Sequence, residues 1–281
     1  MIKKPTIRET AWYGCLPDIP DSKDLCLTTA PTKPDKFSDL DNLFHVPMYN
    51  QKALGSCGGH GAERIHRFAR NRRGLKDWAG SRLFAYYNAR RLFGMQSVDS
   101  GASIRDCIKS IAKWGAPHEN LWPYQIADFA KTPSSQAYQD GLLNQAILYR
   151  RVPQTPDALR GVLTAGWPVV FGATLRESFE SEQVEKDGIV PMPADSERIV
   201  GQHCLVLWGH VDDTEVYKVA NSWWDEDDPQ DPMWGDHGFA WMPYDMIHDP
   251  NICCNFWVVT GVEDSLEPPK TWWTWLTGLF H

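Results

Sequence analysis

The chain lacks any run of eighteen apolar residues, so it offers no membrane-spanning helix. It also lacks a CxxC pair. Its seven cysteines (Cys15, Cys26, Cys57, Cys107, Cys204, Cys253 and Cys254) are odd in number and show no framework spacing. A disulfide scaffold is therefore not expected in a chain of 281 residues, and the expected setting is the cytoplasm or another reducing compartment. Cys57 with His60 supplies only half of a metal clip, so no zinc site or other metal centre is expected. Basic charge is short: 28 Lys and Arg face 36 Asp and Glu, and the net charge of −8 disfavours a general nucleic-acid partner. The opening MIKKPTIRETAWYG has two lysines but no apolar stretch behind them, unlike a secretory signal. No internal repeat is present. The acidic loop of Asp225, Glu226, Asp227, Asp228 and Asp231 lacks the spacing and central glycine of a calcium loop and reads as solvated.

What is present is enough apolar sequence, 42%, for a large core. Residues 1–47 carry Pro5, Pro17, Pro20, Pro31, Pro34 and Pro47 and read as an extended arm laid over a globule. Residues 48–145 are helical in pattern, with helices from about 58 to 73, over 81–93 and from the Ser103–Asp106 cap to Gly115. Arg64, Arg67, Arg70, Arg72 and Arg73 on the first of these read as a solvated helix face, with a partner-binding patch as the alternative. Residues 146–262 hold strand-like runs at 146–152, 168–174, 203–209, 215–220, 238–242 and 255–262. A helical first half and a β-rich second half predict an α+β protein with a cleft between two lobes. In the remainder, 263–281, Trp272, Trp275, Leu276 and Leu279 fall on one face of a short amphipathic helix. That face is expected to dock on the globule itself, on a partner protein, or on a membrane surface.

Chemistry concentrates in Asn50–Phe68, NQKALGSCGGHGAERIHRF. A Gly/Ser turn delivers Cys57 onto a helix start, where backbone N–H groups and the helix dipole favour thiolate. That is a place for a nucleophile, or equally for an ordinary buried cysteine. Gln51, six residues earlier, can aim its amide at the same spot. Downstream, His203 opens an apolar strand and Asn221 closes the next one. If those strands are antiparallel neighbours, the two side chains meet, and the Asn oxygen can fix the imidazole in one tautomer.

These segments in this order resemble the papain-like cysteine peptidases. The motifs are Gln51-x-x-x-Gly55-Ser56-Cys57, His203 with its apolar strand, Asn221-Ser222-Trp223 and Trp234-Gly235-x-x-Gly238. His203 lies 146 residues beyond Cys57 and Asn221 lies 164, against a family spacing of roughly 130–150. The resemblance spans roughly residues 45–262. It implies a helical lobe, an antiparallel β-barrel-like lobe, and an active-site cleft between them. It further implies Cys57 as nucleophile, His203 as its base, Asn221 as orienter, Gln51 in the oxyanion hole, and Trp223 shielding the His–Asn bond. Ser100, Gly101 and Gln202 would line the path of an extended peptide or protein substrate, and no cofactor is required.

The expected activity is hydrolysis of peptide or isopeptide bonds through a thioester. A catalytically silent binding module is the alternative, and acyl transfer by the same groups is a third possibility. Three departures stand out. Leu54 replaces the family's usual cysteine, Gly58-Gly59-His60 replaces the usual Trp-Ala-Phe, and the first 45 residues are too short and Pro-rich for the usual helical pro-segment. His60 reads as a helix-surface histidine, with a place near the site as its alternative. The source fits a cell or a virus, with virion association as one location.

Overall fold

The computed structural model describes residues 13–28 and 32–263. The expected amphipathic helix around Trp272 and Leu279 lies outside the described residues. The arm contributes two short strands, β1 (Cys15–Leu16) and β2 (Phe37–Asp39), since Pro17, Pro20 and Pro34 withhold the donors a longer ladder needs.

The helices follow: α1 (Cys57–Arg72), α2 (Arg82–Arg91), then a two-residue strand β3 (Ala102–Ser103), α3 (Ile104–Trp114) and α4 (Ser135–Gly141). Ser81 and Ser103 cap α2 and α3 by accepting from the amides of Phe84 and Asp106. Gly115, at φ 74°, ends α3. Gly58 and Gly59 weaken α1 by roughly 1 kcal/mol each relative to Ala, and packing explains their presence. A Cβ at Gly58 would lie 2.9 Å from the Cys107 sulfur, and one at Gly59 would lie 2.9 Å from the Arg82 carbonyl oxygen. The helical lobe closes around α1 because that side of its first turn is bare.

The second half supplies β4 (Ala146–Arg151), α5 (Pro156–Thr164), β5 (Val169–Arg176), α6 (Glu182–Asp187), β6 (Ile199–Val211), β7 (Val216–Ala220), β8 (Phe239–Pro243), α7 (Tyr244–His248) and β9 (Cys253–Val262). They build a seven-stranded antiparallel sheet ordered β4-β9-β5-β6-β7-β8, with β2 also paired to β6. With β4 and β8 at its ends, this antiparallel sheet is the β lobe expected beside the helical one. Val169–Phe171 and Leu205–Trp208 in its centre are buried throughout, as strands covered on both faces require. Phe68 of α1 meets Trp208 edge-to-face, their centroids 5.1 Å apart, which joins helical lobe to sheet.

The arginines of α1 correct the sequence expectation. Arg64, Arg67 and Arg70 are buried rather than solvated. Arg64 donates to the Val46 and Pro47 carbonyls, Arg67 pairs with Asp77 at 2.6 Å, and Arg70 stacks on Trp78. Each guanidinium finds fixed acceptors or an aromatic face, which makes burial tolerable for an Arg.

Candidate active site

Cys57 begins α1 and is fully buried. Ser56 precedes it at the N-cap position, but its hydroxyl caps nothing; it is taken by the Tyr124 hydroxyl at 2.6 Å. Opposite, β6 and β7 pair in the expected antiparallel register, with Val206 facing Ala220. His203 Nε2 therefore lies 2.8 Å from Asn221 Oδ1, an acceptor that places the ring proton on Nε2 and leaves Nδ1 as the basic nitrogen. Asn221 Oδ1 also accepts from the Ser222 amide, and the Asn221 amide donates to the Gly238 carbonyl. Trp223 lies against the imidazole with centroids 4.9 Å apart. Gln51 and Ser222 are joined twice, by Gln51 N–H to the Ser222 carbonyl at 2.8 Å and by Ser222 Oγ to Gln51 Oε1 at 2.7 Å. The Gln51 side-chain amide donates to the Leu54 carbonyl at 2.8 Å. These contacts link Gln51, His203, Asn221 and Trp223, 172 positions apart at the extremes, and the Cys57 thiol meets the amide of Cys204, the residue after His203.

The chain's own arm covers them. Strand β1 runs parallel to β3, pairing Cys15 with Ala102, and the Ala102 amide donates to the Gly14 carbonyl at 2.8 Å. Tyr13 sits edge-on to both His203 and Trp223, and its hydroxyl bonds Glu180. Gly14 lies so close to Gly55 that a Cβ on it would fall inside the Gly55 carbonyl oxygen. Gly101, at φ 73°, also crowds Gly14, where a Cβ would lie 2.4 Å from the Gly14 carbonyl oxygen, so the backbone edge expected to face substrate faces the arm. Farther along, Asp18 accepts from Trp257 Nε1 at 2.7 Å, Arg151 at 3.1 Å and the Arg105 amide at 3.1 Å. Asp24 pairs with Arg105 and Arg151, at 2.9 and 3.0 Å.

Covering the site reverses its expected electrostatics. Burial pushes the Cys57 thiol up; the amides of Cys204, Gly14, Gly58 and Cys57 itself pull the other way without cancelling it. The thiolate expected from the helix start is outweighed by lost solvation. Burial likewise pushes His203 down to about 4, against the pull of Asn221. With the arm in place both groups are neutral. His203 Nδ1 makes no hydrogen bond among the described residues.

Ser100 is half-buried, its hydroxyl turned to the Gly101 carbonyl. Gln202 precedes His203 on β6 and is exposed, since successive strand residues face opposite sides. Of the expected substrate-lining residues, Gly101 lies beside the arm in the site, while Gln202 does not turn toward Cys57.

No family model matches the chain. An uncharacterised peptidase C1-like protein of Acanthamoeba polyphaga mimivirus is 31% identical over 281 residues, covering 90% of this chain and 88% of that protein. The chain belongs to the papain-like cysteine peptidases. Xylellain, a cysteine protease from Xylella fastidiosa, superposes with a TM-score of 0.81 at 29% identity, over 91% of this chain and 97% of the other. A cathepsin B-like cysteine proteinase of Ostertagia ostertagi is 28% identical over 57% of this chain and 91% of its own length.

For a papain-like peptidase this site holds groups that the sequence did not flag. Tyr124, which bonds Ser56 and the Gln51 carbonyl, carries no motif of its own, and Ser222, which holds Gln51, stands in the Asn221-Ser222-Trp223 motif without a role assigned to it. Tyr13 and Gly14 sit in a stretch without periodicity. The signals that point to the arm are indirect: Asp18, Asp21 and Asp24 recur at three-residue spacing, and Asp21 and Asp24 both reach Arg105. The acidic loop is also more than solvated surface. Asp231 accepts from Asn50 Nδ2 at 2.8 Å and Glu226 from the Met48 amide at 3.1 Å, so it braces the segment leading into Gln51. His60, expected on the helix surface, is buried. Among the described residues no three His, Cys, Asp or Glu side chains gather as a metal site, and no helix is long and apolar enough to cross a membrane.

Proposed function

We propose that this papain-like peptidase hydrolyses peptide or isopeptide bonds through a thioester on Cys57. The reading rests chiefly on the 2.8 Å His203–Asn221 bond, which leaves a basic Nδ1 in the buried region that holds the helix-borne thiol. Once solvent or substrate replaces the arm, His203 takes the Cys57 proton and the thiolate attacks the carbonyl carbon. The carbon–nitrogen bond breaks as imidazolium protonates the leaving amine. Water, deprotonated by the same nitrogen, then hydrolyses the thioester. Asn221 keeps Nδ1 aimed at the sulfur by holding Nε2, and Trp223 keeps water off that bond. The Cys57 amide and the Gln51 side chain receive the oxyanion, a contribution of about 3 kcal/mol per donor. The Gly101–Ala102 edge, which now pairs with Gly14 and Cys15, takes an extended substrate.

In this reading the arm segment Tyr13–Leu16 must leave before catalysis. The test is labelling with a thiol-directed epoxide, followed by peptide mapping, on the full chain and on a Gly14→Ala variant whose arm cannot seat. Preferential reaction at Cys57, lost together with peptide hydrolysis in Cys57→Ala, is the expected result. If Cys57 reacts no faster than Cys26 or Cys254 even in the Gly14→Ala protein, the nucleophile assignment is wrong.

A further inference from the structure

His60, one turn along α1 from Cys57, is only 5% exposed. Its Nδ1 lies 3.1 Å from the Ser56 carbonyl oxygen. A carbonyl has no proton to give, so Nδ1 carries the ring proton and Nε2 is an acceptor. Tyr124 stands edge-on to the ring, centroids 4.9 Å apart, and the Tyr124 hydroxyl is itself fixed by Ser56 Oγ and the Gln51 carbonyl. Burial, and next the Arg82 charge, pushes His60 well below the usual histidine range, so the ring stays neutral and Nε2 keeps its lone pair.

Nε2 has no hydrogen-bond partner among the described residues, and neither has Asn221 Nδ2. Both side chains line the same small cavity of ≈ 10 Å³, closed by Val46, Tyr49, Glu63, Arg64 and Ser222. A space of about that size holds one water, which needs at least two polar partners. Here one acceptor and one donor are supplied, and they belong to the two buried groups that would otherwise lack a bond.

Resting on the Cys57–His203–Asn221 reading, we propose that His60 is a positioning residue for Asn221, acting through one water held between His60 Nε2 and Asn221 Nδ2. The water donates to Nε2 and accepts from Nδ2–H. The amide plane is then fixed at both ends, with Oδ1 on His203 and Ser222 and Nδ2 on the water. Without the acceptor, Nδ2 becomes a buried donor with nothing to bond, and the amide turns to relieve it. The imidazole then loses its set orientation. His60 touches neither substrate nor sulfur in this scheme.

The test is a cycle of His60→Phe, His60→Gln, Asn221→Ala and the His60→Phe/Asn221→Ala double variant, each checked for folding by circular dichroism. His60→Phe removes the acceptor and is expected to lower kcat about tenfold with KM within about twofold, a change of about 1.4 kcal/mol. His60→Gln, which keeps a side-chain acceptor, recovers most of the loss. In the Asn221→Ala background His60→Phe adds less than about twofold, since there is no amide left to position. Independently of turnover, asparagine-selective ¹⁵N spectra of the full chain should show the Asn221 side-chain amide shifting and exchanging faster in His60→Phe and much less in His60→Gln. Fully multiplicative effects of the two substitutions, a loss carried by KM alone, or an unchanged Asn221 amide signal would each overturn the proposal. If no variant hydrolyses peptide yet the amide signal moves as expected, the positioning contact stands and the hydrolytic reading falls.

Discussion

Gly14→Ala perturbs the arm while leaving Cys57, His203, Asn221 and Gln51 unsubstituted. The added methyl would enter the Gly55 carbonyl oxygen, which is backbone and cannot rotate away, so the arm has to lift. Lifting breaks the 2.8 Å bond from the Ala102 amide and withdraws the Gly14 amide from the Cys57 sulfur. At about 1 kcal/mol net for each hydrogen bond, the closed state loses about 2 kcal/mol, or about thirtyfold in the closed-to-open ratio. Detachment of Tyr13 from His203 and Trp223 adds to this. The assay is the second-order rate of Cys57 carboxamidomethylation by iodoacetamide at pH 7, read by peptide mass spectrometry. A rise of roughly thirtyfold at Cys57, with buried Cys107 and Cys253 unchanged, is expected. A Cys57 rate within twofold of wild type would show that the arm does not limit access to the thiol. A parallel rise at all three, Cys107 on α3 and Cys253 on β9 included, would mean that the methyl unfolds both lobes instead.

Other consequences are as direct. Asn221→Ala should lower turnover about 10–100-fold, far less than the roughly 10⁴-fold or greater loss from Cys57→Ala; equal losses in folded proteins would contradict an orienting role. His203 and His66 are pushed by burial to about 4 and about 3, so both stay neutral in the fold while the unfolded chain binds protons below about 6.5. Stability is therefore complete above that pH and is lost as pH falls toward 4, by roughly 2–4 kcal/mol between pH 7 and 5. Urea midpoints at the two pH values measure it, and a flat response would show that these rings are not buried neutral. Gly59→Ala gains about 1 kcal/mol of helix propensity but drives a methyl to 2.9 Å from the Arg82 carbonyl and 3.1 Å from Tyr86 Cβ. A net loss of about 1–2 kcal/mol in chemical denaturation is expected, and a stabilised protein would refute the close α1–α2 contact as the reason for glycine.

Much of the frame is legible because it is local. Serine caps, glycine stops and 3.6-residue periodicity place α2 and α3 within a residue or two, and β5, β6, β7 and β9 fall on the apolar runs that read as strands. The meeting of His203 with Asn221 follows from antiparallel pairing of two consecutive strands, a short-range inference as well. Misread were the groups whose environment is set by distant chain. The α1 arginines look solvated until Val46, Pro47, Asp77 and Trp78 fold back over them, and His60 looks exposed until Tyr124 closes on it.

The residues alone fixed which chemistry is available: a thiol on a helix start, an imidazole with an amide partner one strand away, and a Gln behind the turn. They carry that information because spacing along helices and strands converts directly into shared faces. Whether the thiol is ionised was decided only by tertiary structure. The helix start favours thiolate, but Tyr13–Leu16, forty residues upstream, removes the water that a thiolate needs, and desolvation outweighs four well-placed amides. Solvation depends on everything that packs around a group, and no local pattern in the chain records it.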